Sequence, residues 1–111
     1  MKITSIIIMT FFPLILVSAC GDEVKAEVKL ETIQCGMCVN TIEKNLKNLE
    51  GVVRVDVDLK KKAGVVTYNA TVVDLQAIEN TISGLGYDAN NTQANQEAYN
   101  KLDACCKIPG K

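Results

Sequence analysis

The stretch Thr32–Leu46, TIQCGMCVNTIEKNL, changes its apolar spacing partway along, and the change falls on two cysteines. Upstream, Val24, Ala26, Val28 and Leu30 alternate with Lys25, Glu27 and Lys29. A period of two puts the apolar set on one face and predicts a half-buried strand. Downstream, Val39, Ile42, Leu46 and Leu49 recur at the spacing of one helical face, with Glu43, Lys44 and Lys47 outside it. Gly51 stands where a helix stop belongs. Cys35 and Cys38 therefore occupy the bend where a strand gives way to a helix. Two thiols so placed can clamp a metal, form a redox pair or cross-link the chain. The rest of the sequence has to decide among these.

The same alternation returns in VRVDVDLK, which predicts a second strand with Val53, Val55, Val57 and Leu59 inward. Lys60, Lys61 and Lys62 with Gly64 predict a turn, and a third strand over 65–69 buries Val66 and Tyr68. Thr71 and Asp74 fit a capping box opening a second helix. Leu75, Ile78, Ile82 and Leu85 form its core stripe, and Gly84 and Gly86 end it. Each stripe position lies 36 residues beyond its counterpart in Val39, Ile42, Leu46 and Leu49, which suggests two similar strand–helix–strand halves. The second half needs a fourth strand from YDANNTQ, residues 87–93, although its paired asparagines are poor strand formers. The expected architecture is α+β: a ferredoxin-like βαββαβ sandwich with two helices on one face of a four-stranded antiparallel sheet. In the 94–111 tail, Ala94, Ala98, Leu102 and Cys105 share one helical face, so a short C-terminal helix is expected.

The first residues read as a secretory signal, with Lys2 followed by an almost wholly apolar run from Ile3 to Ala19. The run is borderline for a membrane span, which needs about 20 apolar residues. Its end, Val17-Ser18-Ala19-Cys20, resembles the lipobox of bacterial lipoproteins. That resemblance implies cleavage after residue 19, acylation of Cys20 and a membrane-anchored lipoprotein outside the cytoplasm. Residues 20–111 then make 92 residues with a modest core, divided into one small domain over 20–93 and a Cys-Cys tail over 94–111. Gly21, Asp22 and Glu23 form a tether of about 10 Å, so the domain should sit close to the membrane. Past residue 19 there are 11 basic and 13 acidic residues, a balance that gives no nucleic-acid footprint.

Apart from Cys20, the cysteines are Cys35, Cys38, Cys105 and Cys106, and the chain has no histidine. A His-dependent triad and a mixed Cys/His zinc site are both excluded. An even count in an exported chain also suggests disulfides, with a connectivity that sequence does not reveal. A helix start lowers a thiol's pKa, and the thiolate is the form that binds soft metals. Two thiolates in one loop suit near-linear Cu(I) or Hg(II), whereas a structural zinc site needs four ligands.

From about Val24 to Tyr87 the chain resembles the heavy-metal-associated domain of copper chaperones, metal-ATPase N-terminal modules and the periplasmic mercuric-ion carrier. The family loop reads Met-x-Cys-x-x-Cys; here it reads Ile33-Gln34-Cys35-Gly36-Met37-Cys38. VNTIEKNLKNLEGVVRVDVDLKKKAGVVTY and the later GLGY follow the family pattern. The resemblance implies that Cys35 and Cys38 are metal ligands, that Tyr87 packs near them and that Ile33 takes the place of a buried Met. Met37 reads as exposed loop packing, since Met is more often a gap-filler than a ligand. The adjacent pair Cys105 and Cys106 either folds over the loop to supply third and fourth thiolates or forms a disulfide. The expected ligand is a soft ion, Cu(I) foremost, with Hg(II), Cd(II) or Zn(II) also compatible. The expected function is capture of that ion by a monomer, without catalysis, and transfer to a metal-transporting membrane protein or another carrier. The competing readings are a thiol–disulfide oxidoreductase, which lacks a Trp before the motif and a Pro within it, and a disulfide-stapled structural lipoprotein.

Overall fold

The computed structural model describes residues 23–109. The signal segment 1–19 and the lipidation site Cys20 lie outside the described residues. The element order is β1 (Glu23–Lys29), α1 (Gly36–Lys47), β2 (Val52–Asp58), β3 (Ala63–Asn69), α2 (Leu75–Gly84), the short α3 (Gln96–Asn100) and a single 3-10 turn at Ala104–Cys106. No helix among the described residues is long and apolar enough to cross a membrane.

The strands make one antiparallel sheet in the order β1-β3-β2. Val28 pairs with Gly64 across β1 and β3, and Val55 pairs with Val66 across β2 and β3. The two stripes 36 residues apart behave alike. Ile42, Leu46, Ile78 and Ile82 are buried, while Val39, Leu49, Leu75 and Leu85 flank them half-buried. Helices with such faces must cover something apolar, and here they cover Val28, Val55, Val66 and Tyr68.

Four local expectations are corrected. The segment 87–93 is no strand: the described sheet has three strands, and Ala89 and Thr92 form only an isolated bridge. Asn90, at φ +51°, turns the chain there. It still meets the edge of β1, donating its N–H to the Lys29 carbonyl (2.9 Å) and accepting the Lys29 N–H on Oδ1 (2.8 Å). A side-chain amide thus replaces a strand's carbonyl at one position, and the ladder goes no further. In β2, a register irregularity between Val52 and Arg54 turns Val53 outward, 57% exposed, and brings Val52 against the core instead. The turn before β3 is made by Lys62, at φ +49°, and by Asp58, whose carboxylate accepts from the Lys60 and Lys61 N–H groups. Gly64 is already inside β3, packed between Val57 and Leu30. The cap of α2 is Asp74, which accepts from the Ala77 N–H at 2.8 Å, whereas Thr71 bonds to Asn69.

Helix α2 ends as its glycines predict. Gly86, at φ +103°, donates to the Ser83 carbonyl, and Tyr87 donates back to Ile82. This Schellman arrangement buries Tyr87 against the last turn. The tail then returns across the same place. Backbone atoms of Ala98 and Tyr99 stand so close to Gly86 that a Cβ there would lie 2.9–3.0 Å from them. The expected tail helix is therefore split into α3 and the 3-10 turn; Leu102 packs inward as expected, joined by Tyr99 and Cys106, whereas Cys105 is exposed.

Candidate metal centre

The loop leaving β1 is held from below. Ile33 is fully buried, as expected of the position that the family gives to Met. The Thr32 hydroxyl accepts the Asp88 N–H at 3.0 Å, which ties the loop to the segment after Tyr87. Cys35 is the N-cap residue of α1, with extended backbone, and its carbonyl accepts from the Cys38 and Val39 N–H groups. Cys38 lies within the first turn, wholly buried. Met37 points outward and is 48% exposed.

The tail brings its cysteines to this loop. Cys35 Sγ lies 3.0 Å from Cys105 Sγ, 3.6 Å from Cys106 Sγ and 3.6 Å from Cys38 Sγ. Cys105 and Cys106 stand 3.9 Å apart, and Met37 Sδ lies 3.8 Å from Cys105 Sγ. All four cysteines are free thiols. Cys35, Cys105 and Cys106 have sulfurs mutually within 4.8 Å, a donor set that could hold a metal ion. Soft thiols with neither carboxylate nor imidazole among them fit a soft ion.

The tail is fixed by ordinary bonds. Asp88 accepts the Ala94 N–H at 2.7 Å, Ser83 carbonyl accepts the Asn95 N–H at 2.9 Å, and the Tyr99 hydroxyl accepts the Ile108 N–H at 2.9 Å. Sequence reasoning missed Tyr99, because a lone aromatic among Asn, Gln and Glu makes no stripe. It also missed the use of Gly86 as a seat for the tail, since one glycine does two jobs there.

The thiols are electrostatically unequal. The Cys105 thiol, donating to Cys35, does most to lower the Cys35 pKa from its ordinary 9.0 to about 6. The Cys38 backbone amide and the Cys106 and Cys38 thiols act in the same direction, while burial opposes them. Cys105 is raised in turn, chiefly because Cys35 holds its proton in place. Burial first, then contact with Cys38, pushes Cys106 up. Tyr87 is also raised, by burial and then by Cys38 and Cys106, so its hydroxyl stays protonated beside the sulfurs.

A thiol whose pKa is depressed is reactive above that pKa and loses reactivity as pH falls through it. Iodoacetamide should therefore label Cys35 first, with a rate that rises through pH about 6. In urea that selectivity should vanish as Cys35 returns toward 9.0. Peptide mapping by mass spectrometry reads both. First labelling at Cys105, the more exposed thiol, would contradict the proton assignment.

Comparison with known proteins points the same way. Residues 27–88 match the heavy-metal-associated domain family. A copper-exporting P-type ATPase of Staphylococcus haemolyticus is 36% identical over 73 residues, which are 66% of this chain and 9% of that protein. The chain thus spans under a tenth of the ATPase it matches. The structure of the CopZ metallochaperone is similar at a TM-score of 0.58 and 29% identity, covering 60% of this chain and 98% of that one. A copper transporter domain from yeast, Ccc2a, solved in apo and Cu(I)-loaded states, is similar at 0.56 and 29%, covering 60% and 90%.

Proposed function

The chain belongs to the heavy-metal-associated domain family, and from that membership we propose that it captures one soft metal ion on its cysteine cluster and passes it to a partner. The observation that carries this reading is the convergence of four free thiols at one end of the fold, with Cys35 within 3.6 Å of the other three. Copper-handling relatives make Cu(I) the foremost ion, and the same softness admits Hg(II), Cd(II) or Zn(II). The protein acts as a monomeric binding module and not as an enzyme. Release proceeds by thiolate exchange: a partner's thiolate enters, a three-coordinate ion forms, and one of the chain's own sulfurs leaves. The partner is a metal-transporting membrane protein or another carrier.

Cys20 holds the domain to a membrane as a lipoprotein outside the cytoplasm. The anchor enters at Glu23, the start of β1, whereas the thiol loop leaves the other end of that strand. Seven residues span about 23 Å. The thiols then face away from the tether, so the partner must present its own thiols above the bilayer surface.

Cu(I) titration of the purified, reduced protein against a chromophoric chelator tests the function. One ion should bind to the native chain. The Cys35→Ser/Cys38→Ser double variant should lose competitive binding while its circular dichroism stays native. A double variant that still holds one Cu(I) with native affinity would refute the loop as the site.

A further inference from the structure

Three of the four sulfurs close into a triangle with edges of 3.0, 3.6 and 3.9 Å, made by Cys35, Cys105 and Cys106. The buried Cys38 touches this triangle through Cys35, at 3.6 Å, and also adjoins Cys106. A resting two-coordinate Cu(I) is complete with two of these sulfurs. With metal–sulfur bonds of about 2.3 Å, a tetrahedral thiolate site needs edges of about 3.8 Å and a planar three-thiolate site about 4.0 Å. The 3.0 and 3.6 Å edges fall short of both values, and the 3.9 Å edge lies between them. Short edges mean narrow angles at the centre, so the centre sits above the sulfur plane as the apex of a pyramid. A centre with three bonds and a lone pair has that shape. One side of the triangle is open, since Cys105 is exposed and Cys35 half-exposed, while Cys38 and Tyr87 fill the core behind it.

We propose that Cys35, Cys105 and Cys106 form a three-thiolate site for trivalent arsenic or antimony, taken up as the neutral oxyacid. The inference rests on the reading of the cluster as a soft-ion site and extends it to a second class of ligand. Uptake is an exchange without electron transfer. Three As–S bonds form and three As–O bonds break. Each thiol proton leaves with a hydroxide as water, so arsenous acid and three thiols give the tris-thiolate and three waters. The tail contributes two of the three sulfurs; its bonds to Asp88 and Ser83 fix its start, and the Ile108–Tyr99 bond closes it on itself, so the sulfurs are held in place beforehand. Little ordering cost then remains to be met on binding.

The experiment titrates the reduced protein with arsenite, following the near-ultraviolet As–S absorption and the mass of the complex. Each variant is titrated with Cu(I) in parallel. One arsenic should bind to the native chain and to Cys38→Ser with similar affinity. Cys105→Ser, an exposed change that leaves the core untouched, and Cys106→Ser should each weaken arsenite by roughly 10²–10⁴-fold, the loss expected when one intramolecular contact is removed. Arsenite binding unchanged in Cys105→Ser, or absent from a native chain that still binds Cu(I), would overturn the three-thiolate site and leave the proposed function standing. A native chain that binds neither ion would overturn both.

Discussion

Replacing Gly86 with alanine should detach the tail from the body of the protein while leaving the loop cysteines where they are. The φ of +103° at Gly86 is one that a side chain resists, at a cost of about 1–3 kcal/mol. The added carbon would also lie 2.9 Å from the Tyr99 nitrogen and 3.0 Å from the Ala98 carbonyl carbon. These are backbone atoms of α3, so no rotamer change can relieve the contact. The cheapest response is for α3 to lift, because it is five residues long and held by few bonds. Helix α1 and the loop from Ile33 to Cys38 depend on Ile42, Leu46 and the sheet, and the substitution leaves these untouched.

Two readouts follow. Trypsin cleavage at Lys101 and Lys107 should accelerate by on the order of ten- to a hundredfold, as the open state gains about tenfold in population for every 1.4 kcal/mol of strain. Cys35 should also lose the Cys105 thiol that does most to stabilise its thiolate, so its alkylation midpoint should climb from about 6 toward 9.0. Unchanged protease resistance together with an unchanged midpoint would mean that the tail does not rest on Gly86.

Much of this arrangement is legible in the residues because it rests on periodicity. The two apolar stripes 36 residues apart predict both helices, and the buried pairs Ile42/Ile78 and Leu46/Ile82 bear them out. The change of apolar period likewise places Cys35 and Cys38 at a strand-to-helix bend. The failures share another cause. Val53 satisfies the alternation, but one irregularity in β2 reverses its face, and such an irregularity leaves no trace in hydropathy. Gly64 looks like a turn residue and is a strand residue, because Lys62 with the Asp58 carboxylate makes the turn. YDANNTQ completes a fourth strand only by analogy with the first half, and Asn90 diverts it. The tail is the most instructive case. Two adjacent cysteines at the end of a polar segment leave open whether they fold over the loop or pair in a disulfide. Their destination is set by one buried tyrosine and one glycine that tolerates a backbone against it.

The four cysteines should not be equivalent to Cu(I), and the difference between Cys35 and Cys38 is the sharpest test of the site. Cys35 is the hub, with the sulfurs of Cys38, Cys105 and Cys106 all within 3.6 Å of it. Serine in its place removes the one thiolate that lies this close to all three others. A hydroxyl offers a hard, protonated oxygen that a soft ion ignores. Cys38→Ser leaves Cys35 with both tail sulfurs, hence a complete set of soft ligands. Competitive titration should show Cu(I) affinity falling by roughly 10²–10⁴-fold in Cys35→Ser and by distinctly less in Cys38→Ser. The stability costs run the other way. Cys38 is wholly buried, and an unpaired hydroxyl there costs about 1–3 kcal/mol, whereas Cys35 is only half-buried in an open loop. Urea denaturation of the apo forms should therefore rank Cys38→Ser as the less stable variant and metal titration should rank Cys35→Ser as the weaker binder. Equal losses of Cu(I) affinity would return the site to a two-cysteine clamp in which the tail plays no part.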